Sequence, residues 1–525
     1  MLARVTGPAR EHDPPVGTGP PVSSVAVRRI VALFVLPYVL LGLWWALANP
    51  AIAAPDEDAH LVKALGMARF DIGVPNPAAP VSSHPVDVRN ASITRVVEIP
   101  GRLDPTGYAC FIFKPEATAA CQPTTPRTTE GDVAASTTLG AYPPFLYPVA
   151  GWVASLGSDP ASADRLGRLV VLAASVLLLW LACAHVVRWL GPRSLVGVAL
   201  LMTPMAVFCL GILNTSAIEI LGATGMAAVV AVYGRRPESL SRSGTQALVL
   251  VSGTALVLSR QLGIVTMAVL TLLLLVLGGW RDVWAGLRER RAVTWAAVLV
   301  PAVSTVAVAV WELRYDHPVL LGPWASGDSL RAFLEQAVQL TAESIGWFGW
   351  LDVRPPYGVN LVWFAAAAAL VVTGIVLGGR RDRMVVIGVL LVAVVVSYVT
   401  YSRVFFGINA GLQGRHVLPI FALVPIWSGV VVAERLRPRL FAVGVRVAAV
   451  ALPLVVLIGL YLNAKRYAVG LGPDSGPGWF VPAAEWSPPL GWYPWLVLGI
   501  AGTVALGVAW VRTMGEVGVR SGTTR

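Results

Sequence analysis

Apolar runs of about 17–25 residues recur along almost the whole chain, interrupted by short polar connections, and this is the pattern of a polytopic α-helical membrane protein. The runs predict twelve spans, near 30–49, 166–188, 195–213, 216–233, 244–259, 262–279, 293–311, 361–379, 384–401, 417–433, 441–462 and 492–511. The segment Tyr142–Leu156 is also apolar. Counting it as a span would invert every later connection, so it is read as a juxtamembrane or re-entrant helix buried in protein. The first run exceeds the ~7–15 apolar residues of a signal peptide, which makes it a retained helix despite Ala46-Leu47-Ala48 and Ala51-Ile52-Ala53 behind it.

Composition agrees with this pattern: 56% of residues are hydrophobic and 13% charged, with a mean hydropathy of +0.69. The net charge of +11 then calls for no nucleic-acid partner, because the arginines gather in short connections between spans. Connections at Arg188/Arg193, Arg235/Arg236/Arg242, Arg281/Arg288/Arg290/Arg291, Arg380/Arg381/Arg383 and Arg435/Arg437/Arg439 fall on one side. The positive-inside rule makes that side cytoplasmic, together with both termini. Residues 1–29 and 512–525 are read as tails, the first Pro- and Gly-rich and disordered, around a membrane domain over 30–511. Three long segments remain outside, 50–165, 312–360 and 463–491. The chemistry is expected there.

The first of these opens with Pro55-Asp56-Glu57-Asp58-Ala59-His60, three carboxylates and an imidazole at the end of an apolar helix. Titratable groups in that position are costly beside lipid and mark a functional site by default. Asp56 is placed to cap a helix carrying Leu61, Leu65 and Ala68, with His60 on its own face at i, i+4. Residues 75–140 are rich in Pro, Thr and Gly and read as mostly irregular. Within them Cys110 and Cys121 read as a disulfide, since two cysteines lack further metal ligands nearby and face an oxidising compartment, whereas Cys183 and Cys209 read as inert core residues. Further polar groups reach the same side: Tyr142 at the loop's end, Arg165 and Arg168 at the next span, Asn214-Thr215-Ser216 with Glu219, Arg260, Trp350 with Asp352, and Gln413-Gly414-Arg415-His416. Glu219 reads equally as a buried acid satisfied by its neighbours. The arginines read equally as packing partners of Glu219, Glu343 or Asp352.

Together, the acidic group after the first helix, Tyr142-Pro143-Pro144 closing the first outer loop and Arg165-Leu166 at the next span resemble the GT-C glycosyltransferases. With Gly349-Trp350-Leu351-Asp352 and Gly414-Arg415-His416-Val417-Leu418-Pro419, they resemble more closely a GT-C-like bacterial family of membrane proteins catalogued as a domain of unknown function. The resemblance spans about residues 30–465. It implies a multi-pass enzyme of the bacterial cytoplasmic (inner) membrane, its site facing outside, that moves a sugar from a polyprenyl-phosphate donor to a glycan, lipid or protein acceptor of the cell envelope. Asp56 or Glu57 would be the general base, and Asp58, His60, Tyr142, Arg165, Glu219, Arg260, Trp350, Asp352, Gln413, Arg415 and His416 would hold substrates. No metal is required in this reading, although Asp56-Glu57-Asp58 leaves room for a divalent ion. The alternatives are a transporter or flippase for lipid-linked sugars, or an envelope-assembly protein without catalysis. No internal repeat favours the transporter.

Overall fold

A computed structural model describes residues 22–76, 90–124, 130–314, 322–408, 411–472 and 478–515. Of the tails read at 1–29 and 512–525, residues 1–21 and 516–525 lie outside them, whereas residues 24–29 already belong to the first helix and 512–515 continue the last one. In chain order the helices are α1 (Ser24–Leu47), α2 (Glu57–Met67), α3 (Tyr147–Ala154), α4 (Pro160–Leu190), α5 (Leu195–Leu201), α6 (Pro204–Leu210), α7 (Ser216–Tyr233), α8 (Ser243–Ser259), α9 (Gln261–Leu274), α10 (Trp280–Arg288) and α11 (Ala292–Arg314). They continue as α12 (Gly327–Gly346), α13 (Tyr357–Leu377), α14 (Arg380–Thr400), α15 (Gly414–Phe421), α16 (Leu423–Arg435), α17 (Pro438–Val469) and α18 (Trp492–Trp510).

Among the described residues, nine helices are long and apolar enough to cross a membrane, and two bent pairs raise the number to eleven. The twelfth expected span is α8, apolar but shorter. The run expected as one span at 195–213 is α5 and α6, which meet at 83°. Pro204 lacks the N–H that would continue α5, and the Thr203 side chain restarts the helix by accepting from Ala206 N at 3.2 Å. The run at 417–433 bends by 46° between α15 and α16. α7 is buried along its whole length and forms the axis of the bundle, packed by α4, α8, α9, α15 and α16.

The segment 142–156 does not span. Its eight-residue helix α3 is about 12 Å long against a hydrocarbon core of ~30 Å. It packs on α2 so tightly that a Cβ on Gly151 would sit 1.7 Å from the Ala64 carbonyl oxygen, while Val149, Trp152 and Leu156 face outward.

The irregular reading of 75–140 needs correction. Val74–Pro75 (β1), Arg95–Pro100 (β2) and Asp132–Thr137 (β3) form an antiparallel sheet in the order β1-β2-β3, with Arg95 opposite Thr137 and Pro100 opposite Asp132. Val97 and Ile99 point from β2 into the core. The strands are short and their partners lie far apart in sequence, so local composition gave no sign of the pairing. The segment 312–360 likewise contains α12, opened by a Ser326/Ser329 capping box. α17 runs past 462, so that Asn463, Arg466 and Tyr467 are buried rather than in a loop.

Cys110 and Cys121 are joined, with Cα atoms 6.1 Å apart, while Cys183 and Cys209 are free and buried. Denatured without reductant, the protein should expose two thiols to alkylation, and four after reduction. Four thiols in unreduced protein isolated from the membrane would break the pairing.

Candidate active site

The site is built on a buried guanidinium. Asp159 and Ser162 cap the start of α4, which then carries Asp164 and Arg168 on one face at i, i+4. Arg168 is 0% exposed; its Nε donates to Glu57 Oε1 at 2.8 Å and its Nη2 to Glu57 Oε2 at 2.7 Å. Nη2 also lies 2.8 Å from Asp164 Oδ2 and donates to the Pro50 carbonyl at 2.8 Å. Glu57 accepts two backbone bonds besides, from Ala54 N at 3.1 Å and Leu213 N at 2.7 Å, and Asp164 accepts from Ile52 N at 3.1 Å. Each Glu57 oxygen is therefore taken by two donors. The residue is an anchor with no lone pair facing solvent.

Asp56 precedes it in a left-handed conformation, φ 65°. Capping by its side chain was expected and does not occur, because the anchored Glu57 turns the chain at that point and directs the Asp56 carboxylate away from the helix N–H groups. That carboxylate is 51% exposed and lies 3.5 Å from Arg415 Nη2, whose own side chain is 3% exposed. A non-glycine residue held at positive φ beside buried charge is strain of the kind that collects at functional sites. Arg260 is also buried, at the extended break between α8 and α9. Its Nε donates to Thr215 Oγ1 at 3.3 Å and its guanidinium stands 5.5 Å over the Tyr142 ring. Arg260 and Arg415 both act electrostatically on Asp56 and on His60.

His60 is buried against Tyr147, with Nδ1 2.8 Å from its hydroxyl and the rings stacked, and Tyr142 stands edge-on at 5.9 Å. Burial, reinforced by the two guanidiniums, pushes His60 well below the usual imidazole range, so the ring is neutral. Asp58 is half-buried, and burial with the neighbouring Asp56 and Glu57 charges pushes its carboxyl upward. Lys63 was not anticipated as part of the site. Its Nζ donates to the carbonyls of Leu139, Gly140 and Tyr142 at 2.6, 3.2 and 2.6 Å, which ties the Tyr-Pro-Pro segment to α2. Burial pushes Lys63 down to about 7, and the three carbonyls, each accepting one proton, favour its ammonium form.

The other wall is the start of α15. Gly414 N donates to Glu343 Oε2 at 2.9 Å, and a Cβ at Gly414 would lie 2.1 Å from Ser344 N, so only glycine lets α12 and α15 touch here. Burial raises the Glu343 carboxyl, while Gln339 and the Gly414 N–H, bonded to it, act in the opposite sense. Arg415 Nε, His416 Nδ1 and Gln413 Oε1 are buried without a hydrogen-bond partner among the described residues, and His416 stacks on Phe405. Glu219 is buried, and neither of its oxygens has a hydrogen-bond partner among the described residues. The reading of it as an acid satisfied by its neighbours is thereby set aside.

Trp350 and Asp352 have partners of their own outside the acidic cluster. Trp350 Nε1 donates to the Ile52 carbonyl at 2.9 Å, and Asp352 accepts from Arg466 Nε at 2.6 Å. Arg466 in turn donates to the carbonyls of Phe111, Lys114 and Ala117 around the disulfide. These residues hold loops together. Arg165 is partly buried near Asp159 and Tyr108. Neither Arg260 nor Arg415 pairs with Glu219, Glu343 or Asp352 within 4.0 Å. Among the described residues, no three His, Cys, Asp or Glu side chains converge as a metal site.

The two adjacent carboxylates should separate in stability measurements. Glu57→Gln or Arg168→Met should remove about 3–5 kcal/mol, the usual cost of breaking a buried pair, and lower the melting temperature in detergent. Asp56→Asn should leave melting unchanged, and the reverse ranking would contradict the assignment.

Comparison with known proteins places the chain. No curated protein matches it. Two crystal structures of ArnT from Cupriavidus metallidurans are similar. The apo form has a TM-score of 0.45 at 15% identity, and the form bound to undecaprenyl phosphate has 0.42 at 16%. Each covers 94% of this chain and 78% of its own. The model of the predicted membrane protein family DUF2142 matches residues 39–424. The chain belongs to the DUF2142 family of predicted membrane proteins.

Proposed function

We propose that this protein is a GT-C-type glycosyltransferase that takes a sugar from a polyprenyl-phosphate donor and attaches it to a cell-envelope acceptor on the outer side of the bacterial cytoplasmic membrane. The observation that carries the reading is the meeting of a half-exposed carboxylate, Asp56, with two buried guanidiniums at the head of an apolar bundle. Two guanidiniums held beside a half-exposed carboxylate suit a phosphate, because a guanidinium fork can grip phosphate oxygens bidentately. The motif resemblance read from the sequence points the same way. A groove of about 430 Å³, lined by Leu340, Phe364, Val417, Leu418 and Phe421 among others, starts on the helix that carries Arg415 and offers apolar contact for an isoprenoid tail.

In this mechanism the acceptor hydroxyl attacks the anomeric carbon while Asp56 takes its proton. The bond from that carbon to the phosphate oxygen breaks, and the polyprenyl phosphate leaves with the bonding pair. Arg260 and Arg415 stabilise the charge that develops on it. Neutral His60 and Tyr142 line the pocket, and Lys63 holds the Tyr142 segment in place. Glu57 serves only to fix the turn that presents Asp56. The guanidiniums supply the positive charge, so a divalent ion is not required. Chelation should leave transfer unchanged.

Incubating purified protein in lipid with labelled polyprenyl-phosphate sugars and envelope acceptors tests the proposal. Asp56→Asn should lower transfer by about 10²-fold or more with normal folding. Arg415→Ala should raise the donor KM or lower turnover. Wild-type transfer by Asp56→Asn would remove the base, and translocation without transfer would make the protein a flippase.

A further inference from the structure

The first turn of α7 holds buried polar atoms that the mechanism above does not use. Glu219 is 0% exposed, yet neither of its oxygens has a hydrogen-bond partner among the described residues. The Ser216 hydroxyl, one turn earlier, and Asn214 Nδ2 are buried and unpartnered as well, although Asn214 Oδ1 accepts from Ser216 N at 2.9 Å. Leaving a buried carboxylate in this condition is costly, since it has given up water and gained no hydrogen bond in return. Its place at a helix N-terminus offsets only part of that cost. Four such atoms on three residues within six positions of the chain, a carboxylate among them, mark a place where a ligand would supply the missing bonds.

Position narrows the ligand. Thr215, four residues before Glu219, holds Arg260 through its hydroxyl, and the Arg260 guanidinium interacts electrostatically with both Glu219 and Asp56. The phosphate-binding arginine thus has the half-exposed Asp56 on one hand and the fully buried Glu219 on the other. An acceptor arriving from water meets Asp56. The group at Glu219 must be attached to the phosphate, uncharged or nearly so, and rich in hydroxyl donors, because a second anion would be repelled. Resting on the donor reading above, we propose that Glu219, with Ser216 and Asn214, forms the subsite for the transferred sugar, its two carboxylate oxygens accepting hydrogen bonds from two sugar hydroxyls. Glu219 is a specificity-determining residue. It takes no part in the proton transfer.

The test is a binding titration of purified protein, followed by tryptophan fluorescence, with bare polyprenyl phosphate and with a panel of polyprenyl-phosphate hexoses. Wild-type protein should bind at least one hexose lipid about 10- to 100-fold more tightly than the bare lipid, the range of a hydrogen bond to a charged group. Glu219→Gln should abolish that increment and leave binding of the bare lipid intact. Removing the recognised hydroxyl from the sugar should cost wild-type protein a similar factor and the variant little. Melting of the ligand-free protein supplies a second readout: Glu219→Gln should melt at or above the wild-type temperature, since an unpartnered carboxylate is lost. Equal binding of bare and sugar-bearing lipids by wild type, an unchanged sugar increment in Glu219→Gln, or a lowered melting temperature without loss of sugar binding would each overturn the subsite. Failure of wild type to bind even the bare lipid would instead overturn the donor reading on which it rests.

Discussion

One buried guanidinium organises the loop side of this protein. Taking Arg168 out of water is expensive, and the expense is met only because Glu57, Asp164 and the backbone carbonyls of Ala46 and Pro50 surround it. Those partners come from the end of α1, the start of α2 and the start of α4, and Glu57 also receives Leu213 N from the turn before α7. A single charge cluster therefore fixes where four segments meet. It also separates the two adjacent acidic residues: with Glu57 consumed, the neighbouring Asp56 turns through a left-handed conformation toward Arg415.

A second anchor supports the loops from the far side. Arg466, near the end of α17, binds Asp352 and three carbonyls of the disulfide loop, and Trp350 reaches the Ile52 carbonyl. The Tyr467 hydroxyl donates to the Ala53 carbonyl at 2.6 Å. The segment just before Asp56 is thus held between Arg168 on one side and the Arg466–Tyr467 pair on the other. Lys63 adds a third tie, from α2 to the Tyr-Pro-Pro segment. Rigid support of this density suits a site whose carboxylate and guanidiniums must keep a fixed geometry.

Within that frame the polar groups divide into satisfied and unsatisfied sets. Glu57, Asp352 and Glu343 have both carboxylate oxygens engaged, and they hold structure. Glu219, the Arg415 Nε, His416 Nδ1 and Gln413 Oε1 are buried around the heads of α7 and α15 with no hydrogen-bond partner among the described residues.

The sequence alone determined the membrane class, the number of apolar runs, the short helix at Tyr147 and the pairing of Cys110 with Cys121, because hydropathy and local spacing are properties of contiguous residues. It also put Asp56, Arg260 and Arg415 among the candidates, since charge at the end of an apolar helix stands out against its background. It could not tell Asp56 from Glu57. That distinction depends on Arg168 and Leu213, more than a hundred residues away in the chain. The 83° bend at Thr203, the pairing of β2 with β3 and the capture of Asp352 by Arg466 were equally hidden. In each case the deciding partner comes from a distant segment, and only tertiary packing brings the two together.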